Sequence, residues 1–159
     1  MTNRINRKLI AGAAVVAAVV LGSLAYSHCQ IPCGIYDDEA RFGAIAEHIT
    51  TIEKSIKEIE RLSAEAKPNM NQIVRWVNNK DQHADELSEI VTYYFMAQRV
   101  KPAAEGDAKG YNDYVKKLTL LHRMLMDAMK AKQTTDLANV EQLRSALDEF
   151  HKAYSGKAG

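Results

Sequence analysis

The nine residues His28-Cys29-Gln30-Ile31-Pro32-Cys33-Gly34-Ile35-Tyr36 hold both cysteines of the chain, together with an imidazole and a phenol. Cleavage before His28 would add a free α-amine to these donors. Thiolates with amine and amide nitrogens suit a d⁸ or d⁹ ion that favours a square plane, so Ni(II) and Cu(II) are the candidates, whereas zinc would want a closed tetrahedron. Pro32 restricts the backbone before Cys33, and Gly34 permits a left-handed φ after it, so the segment can curl into a hook. The alternative is a Cys29–Cys33 disulfide, the usual fate of paired cysteines in an exported protein. A disulfide requires neither a His at a new N-terminus nor the Pro-Cys-Gly-x-Tyr continuation.

The residues before the hook supply a reason for that cleavage. Arg4, Arg7 and Lys8 precede an uncharged apolar run from Leu9 to Leu24, which ends in Ala25-Tyr26-Ser27. Small residues at the third and first positions before a Ser27–His28 bond match the rule for signal-peptide cleavage. Residues 1–27 are therefore expected to be a signal peptide that engages export machinery and a signal peptidase. The mature protein would then be periplasmic or extracellular. If the leader is retained, the same run serves as a membrane anchor.

The stretch HCQIPCGIYD resembles the nickel-binding hook of the nickel-containing superoxide dismutases, H-C-x-x-P-C-G-x-Y at the mature N-terminus, with all the fixed residues present. The resemblance implies one nickel ion per subunit, superoxide as substrate, and O₂ and H₂O₂ as products through Ni(II)/Ni(III) cycling. It implies that His28 provides its amine and an axial imidazole, Cys29 its amide and thiolate, and Cys33 the second thiolate. Pro32 and Gly34 would shape the turn, and Tyr36 would stand over the open face as the remaining catalytic residue. A homohexamer is implied as well. Two positions depart from the family: Gln30 replaces a common Asp, and Gly43 stands where a Glu that steadies the axial His is expected, with Glu39 and Glu47 the nearest acids. The Arg that shares this task corresponds to Arg75.

Beyond the hook, residues 37–159 are expected to form an all-α, up-down-up-down antiparallel four-helix bundle. Phe42, Ile45, Ile49, Ile52, Ile56, Ile59 and Leu62 alternate at three and four residues, which predicts a first helix running to the Lys67-Pro68 break. The second runs from Asn69 to Arg99, with Ile73, Val77, Ala84, Leu87, Val91 and Tyr94 inward. The third spans Tyr111 to Lys132, with Tyr114, Leu118, Leu121, Leu125 and Met129 inward. The fourth spans Thr135 to Tyr154 on Leu137, Val140, Leu143, Leu147 and Phe150.

Other chemistries find little support. With 21 Lys and Arg against 20 Asp and Glu, the net charge of +1 leaves no footprint for nucleic acid. A di-iron bundle needs Glu-x-x-His on two helices, and only Asp148-x-x-His151 comes near. His48, His83, His122 and His151 fall on four different helices without shared spacing and read as surface or packing residues. Met124, Met126 and Met129 read as core fillers, and Trp76 and Tyr93-Tyr94-Phe95 as core or interface. Two further functions stay open: an exported copper- or nickel-binding protein without turnover, and a membrane-anchored interaction module with a local disulfide.

Overall fold

The computed structural model describes residues 36–156. The expected leader, and His28, Cys29, Pro32, Cys33 and Gly34 of the hook, lie outside these residues. Within them the chain forms four helices and no strand: α1 (Asp38–Ser63), α2 (Met70–Glu89), α3 (Ala108–Gln133) and α4 (Ala138–Ser155), with α2 continued by a π-helical segment, Ile90–Arg99. Helix α1 packs on α2 and α4, and α3 packs on the same two, which is the up-down-up-down bundle expected. No described helix is long and apolar enough to cross a membrane.

Caps set the helix starts. The carboxylates of Asp37 and Asp107 accept from Ala40 N at 3.0 Å and Gly110 N at 2.9 Å, and the Asn69 side chain accepts from Gln72 N at 3.3 Å. Each satisfies an amide that the first helical turn leaves without a partner. Asp107 therefore starts α3 three residues before the expected Tyr111. Helix α4 starts later than expected, because Thr134 and Asp136 accept from Asp136 N and Ala138 N and close a turn first. It ends at Gly156, whose φ of +67° is the left-handed conformation that terminates helices. Helix α1 stops at Ser63, short of Lys67, because the last residue it buries is Leu62 and the stretch that follows is exposed.

The seven apolar residues expected to line α1, from Phe42 to Leu62, are all buried. The five from Phe42 to Ile56 share one core with Ala84, Leu87 and Val91 from α2, Leu121, Met124 and Ala128 from α3, and Val140, Leu143, Leu147 and Phe150 from α4. On α3 one expectation fails. Met129 is exposed, and the inward stripe runs instead through Leu121, Met124, Ala128 and Ala131. Both phases obey a three-or-four spacing, and the small alanines win because they let α3 approach its neighbours closely. Met126 is exposed too, so only Met124 of the three methionines fills the core.

The π segment departs most from expectation. Val100 N donates to Phe95 O at 2.8 Å, five residues back instead of four. Gln98 reaches back in the same way, its Nε2 donating to Tyr93 O at 2.8 Å. Each π hydrogen bond spans one residue more than an α one, so the helix is wound more loosely. Tyr94 and Arg99, five apart, would sit about 140° apart around an α-helix at 3.6 residues per turn, but here they point the same way.

Candidate metal centre

Tyr36, the last residue of the hook, leads directly into the most heavily bonded carboxylate of the bundle. Asp38, the first residue of α1, accepts from Arg99 Nε at 2.8 Å on Oδ1 and from Arg99 Nη2 at 2.7 Å on Oδ2. Tyr94 Oη donates to Oδ1 at 2.7 Å and Tyr154 Oη to Oδ2 at 2.8 Å. Three side chains, from the π segment and α4, thus hold the start of α1 through four charge-assisted bonds. The Arg99 hydrogen bonds, supported by those of the two phenols, outweigh partial burial and hold the Asp38 carboxyl at about 2. Burial, and then the carboxylate, push both tyrosines up to about 12.

Tyr36 rests on this network. The Arg99 guanidinium lies over its ring at 4.3 Å from the centroid, and the ring meets Tyr94 edge to face at 5.9 Å. Arg41 lies 5.3 Å from the Tyr94 ring centroid. Beneath, Phe42, Phe95, Phe150 and Tyr154 form one aromatic cluster with centroid separations of 4.9 to 5.7 Å. This aromatic floor underlies the Asp38 network on which Tyr36 rests. The Tyr36 side chain itself stays 43 % exposed.

Arg75 is not part of this arrangement. It is exposed in the second turn of α2. Asn79, four residues on, bonds to Ser55 far down α1 at 2.9 Å, so Arg75 lies toward the end of the bundle remote from Tyr36. Arg99 is the arginine at Tyr36. The acids named beside Gly43 are engaged or exposed: Glu39 Oε1 pairs with His151 Nε2 at 3.0 Å, and Glu47 faces solvent. Gly43 itself has no neighbour within 4 Å of an added Cβ. Sequence reasoning missed Asp38, Arg99 and Tyr154. The available signal was the inward Tyr94, whose buried hydroxyl requires a partner.

An open cavity of about 290 Å³ adjoins the network, lined by Arg99, Lys101, Lys117, Tyr114 and Tyr154 among others. Asp113 also lines it, and Arg99 is paired with Asp38, so Lys101 and Lys117 leave the opening with a small positive excess.

Two of the histidines read as unrelated also meet. His48 on α1 and His83 on α2 stand with their Nδ1 atoms 2.8 Å apart, because antiparallel packing brings together residues 35 positions apart. His151 stacks on Phe42 at 4.1 Å. His122 is exposed, as a surface residue would be.

No curated protein and no solved structure matches the chain significantly. The sequence model of one family, described as nickel-containing superoxide dismutase, matches residues 23–157, a span that takes in the hook and nearly all of the bundle. With that match over most of its length and the all-helical body described above, the chain belongs to the nickel-containing superoxide dismutases, oxidoreductases acting on superoxide.

Proposed function

We propose that the mature enzyme begins at His28 and holds one nickel ion per subunit through the amine and imidazole of His28, the amide and thiolate of Cys29 and the thiolate of Cys33. The observation that carries this reading is the complete H-C-x-x-P-C-G-x-Y pattern within a chain of that family. The chemistry that nickel supplies when bound is cycling between the divalent and trivalent states, in which two superoxide anions and two protons become O₂ and H₂O₂. Anionic sulfur and amidate donors favour the trivalent state.

The rest of the site is the work of the chain. Lys101 and Lys117, partly offset by Asp113, bias the Tyr36 end of the bundle toward an anionic substrate. The Tyr36 ring is held by Arg99 and its hydroxyl is left to order small anions and water. Pro32 and Gly34 set the turn that brings the two thiolates together. Gln30 retains the backbone of its position without a carboxylate. Export with removal of residues 1–27, and a homohexamer whose neighbouring subunits cover each hook, complete the proposal. A copper-holding protein without turnover, the other reading of the same donors, loses its ground because the family is nickel-containing and enzymatic.

The test is N-terminal mass, metal content and superoxide turnover of protein from its native host. A chain starting at His28, with one nickel per chain and activity abolished by Cys33→Ser, is expected. An active, nickel-loaded chain that keeps its leader would overturn the coordination proposed.

A further inference from the structure

Midway along the bundle three potential ligands converge from two helices. His48 Nδ1 and His83 Nδ1 are 2.8 Å apart, and Glu86 Oε2 stands 3.5 Å from the first and 3.6 Å from the second. His83 and Glu86 are three residues apart, so they share one face of α2, and that face looks onto α1. The side chains are 17 %, 25 % and 39 % exposed, sheltered on the core side and open on the other.

Two features set this cluster apart from a chance meeting of polar groups. Two imidazoles facing through the same nitrogen can share only one proton, so one of the pair must present a bare lone pair toward its neighbour. The carboxylate oxygen faces both nitrogens from beyond ordinary hydrogen-bond length. Its other oxygen, Oε1, accepts from Gln82 Nε2 at 2.8 Å, which leaves Oε2 aimed inward. An outer hydrogen bond of this kind orients a metal-binding carboxylate.

We propose that His48, His83 and Glu86 form a second metal site, separate from the hook, for a zinc-class divalent cation that ties α1 to α2. Metal–donor bonds of about 2.1 Å in a tetrahedron put neighbouring donors about 3.4 Å apart. Both edges to Glu86 already have that length, and only the His48–His83 edge must open, by about half an ångström, as the ion replaces the shared proton. Two imidazoles and one carboxylate suit a borderline ion, whereas calcium and magnesium would require more oxygens. The fourth position faces the open side and takes water. His48 is set between the fully buried Ile45 and Ile49, so one ligand rides on a rigid part of the core.

The test is titration of the nickel-loaded protein with zinc, followed by calorimetry, and with cobalt(II), followed by its visible d–d absorption. One further ion per chain is expected at micromolar affinity or tighter, with no release of nickel and a higher Tm. Glu86→Gln and His83→Gln should weaken it by more than about tenfold, while circular dichroism shows the helices intact. The half-exposed Glu86 makes its variant safe for folding if a histidine variant is not. Repeating the titration on the Cys29→Ser, Cys33→Ser double variant removes the thiolates, so a failure of the hook assignment is told apart from a failure of this one. Absence of heat and of a cobalt spectrum at millimolar metal would overturn the site, as would equal binding by parent and Glu86→Gln.

Discussion

Arg99 meets Asp38 through two parallel N–H···O bonds of 2.8 and 2.7 Å, joining positions 61 residues apart. This pair locks the last turn of the second helix to the first turn of the first, two residues from the end of the hook. Its carboxylate sits at about 2, below the ordinary 3.8, so its contribution to stability is complete above the ordinary value and is lost as pH falls through about 2. Allowing for partial exposure, that contribution is about 1 kcal/mol. Urea midpoints between pH 2 and 6 should therefore decline more gently for Asp38→Asn than for the parent, with the two curves converging at the acid end.

The tyrosines share the same acceptor and should not act independently. Tyr94→Phe and Tyr154→Phe each remove one bond to a charged oxygen, and each should cost about 1 to 2 kcal/mol. The double variant should cost less than the sum, because the carboxylate relaxes toward water once one phenol is gone. A double-mutant cycle in urea measures the difference, and strict additivity would show that the two phenols act separately.

Tyr36 separates packing from chemistry. Tyr36→Phe keeps the ring beneath Arg99 and removes the hydroxyl, so stability should change by less than about 0.5 kcal/mol. If the hydroxyl orders substrate, kcat/KM for superoxide should fall severalfold with nickel content unchanged. Tyr36→Ala should lower both turnover and nickel retention, because it also removes the cation–π contact.

Lys80 is buried, and its ammonium donates to the carbonyl oxygens of Ala131 at 2.6 Å and of Lys132. It closes the C-terminal end of α3, where carbonyls lack helical partners and a cation is favoured. Lys80→Met preserves volume and strands those carbonyls. A loss of about 1 to 3 kcal/mol in chemical unfolding is expected, with the last turn of α3 the first to gain amide exchange.

The bundle was legible because its signal is periodic and local. The isoleucines of α1 announce one face by spacing alone, and their burial follows. The alanines of α3 carried no such announcement. Small residues belong to either face, so spacing alone points Met129 inward, whereas Ala128 and Ala131 make the contact. The hook was legible as chemistry because its donors are contiguous. Its supporting partners were not. Asp38 meets Arg99, and His48 meets His83, only once antiparallel helices have been laid side by side in a register that the sequence does not print. The family pattern points to Arg75, whereas Arg99 reaches Tyr36 through a stretch of π-helix that periodicity cannot show.

That stretch couples two tolerances that ordinarily vary separately, the length of the second helix and the heading of the first helix's opening turn. Loops such as residues 101–107 can lengthen without disturbing that heading. A single residue gained or lost between Tyr94 and Arg99 would turn the guanidinium away from the phenol that now shares its acceptor, and the opening turn of the first helix would come loose while the rest of the core stayed shut.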